Sequence, residues 1–155
     1  MTLPLDLLDG VEIHSPVPPV TFTVHGEPIP QGSTRGFVNP KTGRAIVTSD
    51  NKRTRPWRAL VGDAARQVCH QPLTGPVEVV VVFTMPRPKS RPKRDRWPDR
   101  KPDVDKLARA LLDALTGPVL VDDAQVVHLD ALKVYVGHSL ALSEPGAVVT
   151  VQAEP

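Results

Sequence analysis

Three patterns in the chain point to an α+β domain, a small mixed β-sheet covered by two main helices. Val77–Phe83 is a nearly continuous β-branched run, Val20–Val24 alternates apolar and polar residues, and two stretches repeat apolar residues at helical spacing. At 155 residues, 40% of them apolar, the chain can bury a core as one domain without staples. Aromatic residues are 4% of the total, so that core is built mainly from Val, Leu and Ala.

In chain order, residues 1–19 carry four prolines and no sustained period, and read as a flexible extension ahead of a domain over 20–155. Val20–Val24 reads as a half-buried strand, followed by a loop from Gly26 to Ser33. Phe37-Val38 and Ala45–Val47 flank a turn containing Asn39, Pro40 and Gly43, which predicts a hairpin. From Asp50 to His70 the residues Trp57, Leu60, Val61, Ala64, Ala65 and Val68 share a helix face, with Pro56 suited to the first turn. Val77–Phe83, bounded by Gly75-Pro76 and Pro86, reads as a strand buried on both faces. After Pro102, the residues Val104, Leu107, Ala108, Leu111 and Leu115 form one apolar stripe that Gly117-Pro118 stops. Gln125–Val136 and Ala147–Val151 read as the last two strands.

The N-terminus has no basic start before an apolar run, so it is no secretory signal. The longest apolar stretch is far too short to span a bilayer, which removes the membrane as a partner. A single cysteine, Cys69, allows no intramolecular disulfide and has no matched His or Asn to make it a nucleophile. A cytoplasmic setting is expected. His25, His70, His128 and His138 lack metal-ligand spacing.

Net charge is only +2, yet residues 86–101 alone carry +6, leaving −4 on the rest of the chain. That segment holds Arg87, Lys89, Arg91, Lys93, Arg94, Arg96, Arg100 and Lys101, interleaved with prolines and Trp97. Prolines should keep it extended, so that its cations follow a phosphate backbone while Trp97 stacks on an unpaired base. Such a basic, proline-rich loop is expected to bind DNA. Arg35, Lys41, Arg44, Lys52 and Arg53 either widen that surface or simply solubilise the hairpin.

The acidic remainder concentrates its chemistry in Asp103-Val104-Asp105 and Asp122-Asp123. In mid-helix, residues two apart diverge by about 200° and cannot share an ion. At a helix start, Asp103 can be the N-cap and Asp105 can lie in the first turn, both near the positive end of the helix dipole. A chain return after Gly117-Pro118 is expected to bring Asp123 back beside them. Two carboxylates about 5 Å apart repel by roughly 3 kcal/mol at an effective dielectric near 20, which a hard cation such as Mg²⁺ relieves. Taken singly, Asp103 reads as a cap and Asp123 as a turn residue; together, beside a basic loop, they point to a metal site on Asp103, Asp105 and Asp123, with Asp122 as helper. Asp113 reads as the ion-pair partner of Arg109 at i,i+4, while Arg109 also suits a phosphate contact.

Lys101-Pro102-Asp103-Val104-Asp105-Lys106-Leu107, then Asp113-Ala114-Leu115-Thr116-Gly117, then Asp122-Asp123-Ala124-Gln125-Val126, and finally Lys133, resemble the RusA Holliday-junction resolvases. The opening Val24–Ser33 stretch is similar to the family's first strand and loop, so the likeness covers residues 20–151. The resemblance implies an α+β homodimer, Mg²⁺ or Mn²⁺ as cofactor, four-way DNA junctions as partner, paired symmetric nicks as activity, and a bacterial or phage origin. It assigns the essential acidic roles to Asp103, Asp105 and Asp123. The family's catalytic lysine falls on Arg109, and Lys106 replaces the usual Asn. Arginine holds a phosphate bidentately but does not give up its proton near neutrality, so Arg109 or Lys106 fills that role. Two further classes fit parts of the pattern. A non-catalytic DNA-binding recombination accessory uses the basic loop alone, and a nucleotide-sugar transferase uses Asp-Val-Asp as its metal motif.

Overall fold

The computed structural model describes residues 17–32, 34–49 and 51–155. Residues 1–16 of the expected extension and the expected helix start at Asp50 lie outside the described residues.

The elements run β1 (Val20–His25), β2 (Thr34–Val38), β3 (Ala45–Ser49), α1 (Thr54–Val68), β4 (Val77–Met85), α2 (Val104–Leu115), a 3-10 turn (Asp123–Gln125), β5 (Val126–Tyr135) and β6 (Gly146–Ala153). Four strands form a mixed sheet in the order β1-β6-β4-β5, and β2-β3 form a separate hairpin. The hairpin pairs Val38 with Ala45, as the turn residues between them require. In the sheet, β4 and β5 are parallel, while β6 is antiparallel to both β1 and β4.

The core lies between one face of the sheet and the two helices. Phe22 and Val24, Val79 and Val81, Phe83, and Val149 and Val151 are buried against Trp57, Val61 and Ala65 of α1 and Leu107, Leu111 and Leu115 of α2. Two sequence expectations need correction here. Burial along β4 alternates from Val77 to Phe83, so the strand is covered by helices on one face only, and Glu78, Val80 and Val82 lie on the half-covered other face. Helix α1 contacts the sheet through a narrower stripe than expected. Trp57, Val61 and Ala65 recur every four residues and are buried, whereas Leu60 and Val68 are exposed.

Gly26 ends β1 with φ 136°, a left-handed value that favours glycine, and a Cβ there would stand 3.2 Å from the Leu60 side chain. The turn sends residues 27–32 across the N-terminal ends of both helices. Thr54 Oγ1 donates to the Pro30 carbonyl at 2.7 Å, and the Gln31 amide donates to the Lys106 carbonyl at 3.0 Å. The opening loop is thereby tied to α1 on one side and to the start of α2 on the other.

Candidate metal and nucleic-acid site

Asp103 is the N-cap residue of α2, in an extended conformation, and Asp105 lies in the first turn. Yet the Asp103 side chain makes no capping hydrogen bond. A cap residue normally satisfies one of the orphan N–H groups of the first turn. Here the carboxylate is left for other partners, so the simple capping role is not the one this residue plays. Both aspartates are exposed. Beside them lies a cleft of about 340 Å³ lined by Glu27, Gln31, Arg53, Lys101, Asp103 and Lys106, among others. Glu27 is paired with Arg53 at 2.9 Å, and Gln31 Oε1 is buried without a hydrogen-bond partner among the described residues. From sequence, Arg53 was offered only as one way to widen the DNA surface, and Glu27 and Gln31 were not singled out. Only the fold brings them here, through the crossing of the 27–32 loop.

Lys133 lies on the helix-covered face of β5, opposite Phe83. Its amine donates to the carbonyls of Arg100 and Pro102, both at 2.7 Å. Burial pushes the amine below the ordinary lysine value of 10.5, while the charges of Asp103 and Asp99 partly oppose that shift. Lys133 thus fixes the backbone that leads into Asp103.

The second acidic pair is built differently. Asp122 caps the 3-10 turn, its carboxylate accepting from the Ala124 amide at 2.8 Å. Gln125 completes the capping box. Its Oε1 accepts from the amides of Val121 and Asp122 at 2.8 and 3.0 Å, and its Nε2 donates to the carbonyls of Leu73 and Gly75, both at 2.9 Å. Asp122 therefore caps the turn. Gln125, quoted from sequence only as part of the Asp122–Val126 motif, locks the turn to the segment ahead of β4. The Asp123 side chain, one residue on from the cap, has no hydrogen bond or ion pair among the described residues, while its carbonyl accepts from the Val126 amide.

The expected meeting of Asp123 with Asp103 and Asp105 does not occur within one chain. The amides of Val119 and Leu120 donate to the Leu115 carbonyl, which places that segment at the C-terminal end of α2. Val126 pairs with Val77 at the start of β4, whereas Lys133 reaches Pro102 at the start of α2. Strand β5 therefore runs antiparallel to α2. The seven-residue step from Val126 to Lys133 spans about 23 Å at roughly 3.3 Å per residue. Asp123 sits at one end of that span and Asp103 at the other. Among the described residues, no three His, Cys, Asp or Glu side chains form a group able to hold a metal. The reason is topological: a parallel β4-β5 pair forces the 3-10 turn to the end of the sheet where β4 begins.

The basic segment 86–101 also departs from expectation. It is folded into turns rather than extended, with the amides of Arg91, Asp95 and Asp99 bonded to the carbonyls of Pro88, Pro92 and Trp97. Arg91 sits at its centre with a side chain only 6% exposed, ion-paired to Asp95 and Asp99 and donating to the Trp97 carbonyl. The Arg91 guanidinium holds the Asp99 carboxyl below its ordinary range, chiefly through the hydrogen bond between them. Arg87 donates to the Pro92 and Asp95 carbonyls and lies 4.4 Å above the Tyr135 ring. Arg91 and Arg87 thus hold the loop together. Lys89, Lys93, Arg94, Arg96, Arg100 and Lys101 remain exposed on its outside. Trp97 is 52% exposed, with its ring 5.3 Å from that of His138. Arg109 is exposed and pairs with Asp113 at 3.6 Å, as the i,i+4 spacing predicts.

With the fold and these residues in view, comparison with known proteins decides the family. The sequence profile of endodeoxyribonuclease RusA matches residues 26–151. The chain belongs to the RusA endodeoxyribonuclease family. It is also similar to an uncharacterised protein, YqaN, of Bacillus subtilis (strain 168), at 34% identity over 129 residues, covering 75% of this chain and 87% of that protein. The α+β architecture, with a mixed sheet and two helices, is consistent with the RusA fold. The family points to endodeoxyribonuclease activity and to Holliday-junction resolution. Among the described residues, no helix is long and apolar enough to cross a membrane.

Proposed function

We propose that this protein is a divalent-metal-dependent endonuclease that resolves four-way DNA junctions by paired nicks, working as a homodimer in the cytoplasm. The observation that carries the reading is the start of α2. There the N-cap Asp103, free of capping duty, borders a cleft rimmed by Lys101, Lys106 and Arg53, and the exposed Asp105 follows in the first turn. Carboxylate oxygens are the donors that Mg²⁺ or Mn²⁺ prefers; Asp103 and Asp105 would hold the ion, and Asp123, at the far end of α2 within one chain, would join them only from a second subunit. When bound, such an ion lowers the pKa of a coordinated water and offsets charge developing on the phosphate.

The chain's own residues supply the rest. Lys101 and Lys106 draw the scissile phosphate towards Asp103, and Arg109, on the next turn of α2 from Asp105, would neutralise charge on an equatorial oxygen. The exposed cations of the folded 86–101 loop hold the arms of the junction, and Trp97 offers a face to a base unstacked at the branch point. The bond broken is one P–O ester bond per nick, with water entering in line and the proton leaving to solvent.

The test incubates purified protein with a synthetic four-way junction and, separately, with linear duplex of the same sequence, each with Mg²⁺ or with EDTA. Symmetric nicks on the junction in Mg²⁺ alone are expected. Tight junction binding with no cleavage under either Mg²⁺ or Mn²⁺ would leave a binding-only recombination accessory as the better description.

A further inference from the structure

Two arginines and a histidine line a recess that the cleavage chemistry does not use. We infer that this recess binds one backbone phosphate of the DNA, at a place separate from the Asp103 cleft; the inference rests on the nuclease reading only for the source of that phosphate. The recess has a volume of about 330 Å³ and is lined by Arg87, Arg96, Tyr135, Val136, Gly137 and His138, with no acidic side chain among them. The folded 86–101 segment borders it through Arg87 and Arg96, and borders the Asp103 cleft through Lys101.

The protein holds most of these donors in place. Arg87 is half-buried, with its guanidinium over the ring of Tyr135, itself only 5% exposed. Both of its bonds to the Pro92 and Asp95 carbonyls use Nη1, so the Nε and Nη2 hydrogens stay available. Gly137, at the left-handed φ of 101°, turns the chain after β5, and the His138 amide donates back to the Tyr135 carbonyl at 3.1 Å. His138 Nδ1 accepts from the Leu140 amide at 3.0 Å. The proton of the neutral ring therefore lies on Nε2, and that nitrogen donates whether or not the ring is charged. Arg96 is exposed and makes no hydrogen bond or ion pair among the described residues, so it is free to close on a ligand. An arginine fork takes two phosphate oxygens at once, and an imidazole N–H adds a further bond. DNA is the source that fits best, because Trp97, half-exposed beside the His138 ring, offers a stacking face to the base next to that phosphate.

The test measures binding in EDTA, where no cleavage intervenes. A fluorescein-labelled four-way junction is titrated with wild type, Arg96→Gln, His138→Phe and the double variant. His138→Phe keeps a ring beside Trp97 and removes the N–H donor. Each single variant should bind about tenfold more weakly, and Arg96→Gln should lower the log–log salt slope by about 0.9. The double variant should lose less than the product of the two single losses, because both groups serve one phosphate. Wild-type affinity and slope in Arg96→Gln would overturn the recess, and so would losses that simply multiply in the double variant. Arg96 is exposed, so its variant decides alone if urea melts show that His138→Phe does not fold. Displacement of the junction by millimolar inorganic phosphate at constant ionic strength would make the ligand a free anion and overturn the DNA assignment. A wild type that binds the junction but never cuts it in Mg²⁺ would remove the nuclease reading and leave the recess standing. Normal cutting by wild type, with unchanged binding by both single variants, would do the reverse.

Discussion

Gln125→Ala isolates a residue whose importance comes from geometry. The side chain makes four hydrogen bonds, two received at Oε1 and two donated from Nε2, tying residues 121–125 to the segment at Leu73 and Gly75. A typical net contribution is about 1 kcal/mol per hydrogen bond, which would give roughly 4 kcal/mol. Most of these groups are accessible to water once released, so we expect about 2–3 kcal/mol to be lost. For a domain of this size that corresponds to a fall in Tm of roughly 5–10 °C. Asp122→Ala, which removes the cap of the 3-10 turn, should cost about 1 kcal/mol. Gln125→Glu keeps the acceptor but turns an oxygen towards the Leu73 and Gly75 carbonyls, so it should be at least as damaging as the alanine change. Urea unfolding followed by circular dichroism measures all three. A loss below about 0.5 kcal/mol for Gln125→Ala, or a fully stable Gln125→Glu, would refute the anchoring role.

Trp97→Ala should weaken binding to a junction by about tenfold or more, since stacking on one base is worth roughly 1–3 kcal/mol, and should leave binding to continuous duplex nearly unchanged; equal losses on both substrates in a fluorescence titration would argue against stacking. Lys93→Gln with Arg94→Gln should lower the log–log salt slope of junction binding by about 0.9 per phosphate contact removed, whereas Arg91→Met should leave the slope alone and speed proteolysis within residues 86–101. Lys133 has a folded-state pKa below the 10.5 of the unfolded chain, so between those values the unfolded state binds more protons and stability rises with pH. The stability difference between wild type and Lys133→Met, from paired urea melts, should therefore grow in favour of wild type as pH climbs towards 10.5, and a shrinking difference would contradict the burial argument.

Local periodicity revealed the elements because it reports burial directly. The alternation of Val20–Val24 and the stripe of Leu107, Leu111 and Leu115 both reappear as core faces. Pro102 ahead of the Val104, Leu107, Ala108, Leu111 and Leu115 stripe likewise placed Asp103 and Asp105 at a helix start, where both stand near the positive end of the dipole. Three features were not legible, each for a physical reason. The arrangement of Asp123 depends on the parallel pairing of β5 with β4, a long-range choice that leaves no mark on the residues around Asp122-Asp123. Arg91 carries the same charge as its neighbours, and only the turns of the loop select it to meet Asp95 and Asp99. Gln125 looked like an ordinary polar strand residue, because its partners Leu73 and Gly75 are about fifty positions away in the chain.

The central claim is that aspartates at the start of α2 hold the ion that cleaves a junction the basic loop has bound. Asp103→Asn, assayed side by side with wild type on a radiolabelled four-way junction, tests it most directly. The account predicts unchanged or tighter binding in gel shifts without metal and at least a hundredfold slower cleavage in Mg²⁺, an effect of about 2.7 kcal/mol on the barrier. Cleavage by Asp103→Asn at the wild-type rate would contradict it.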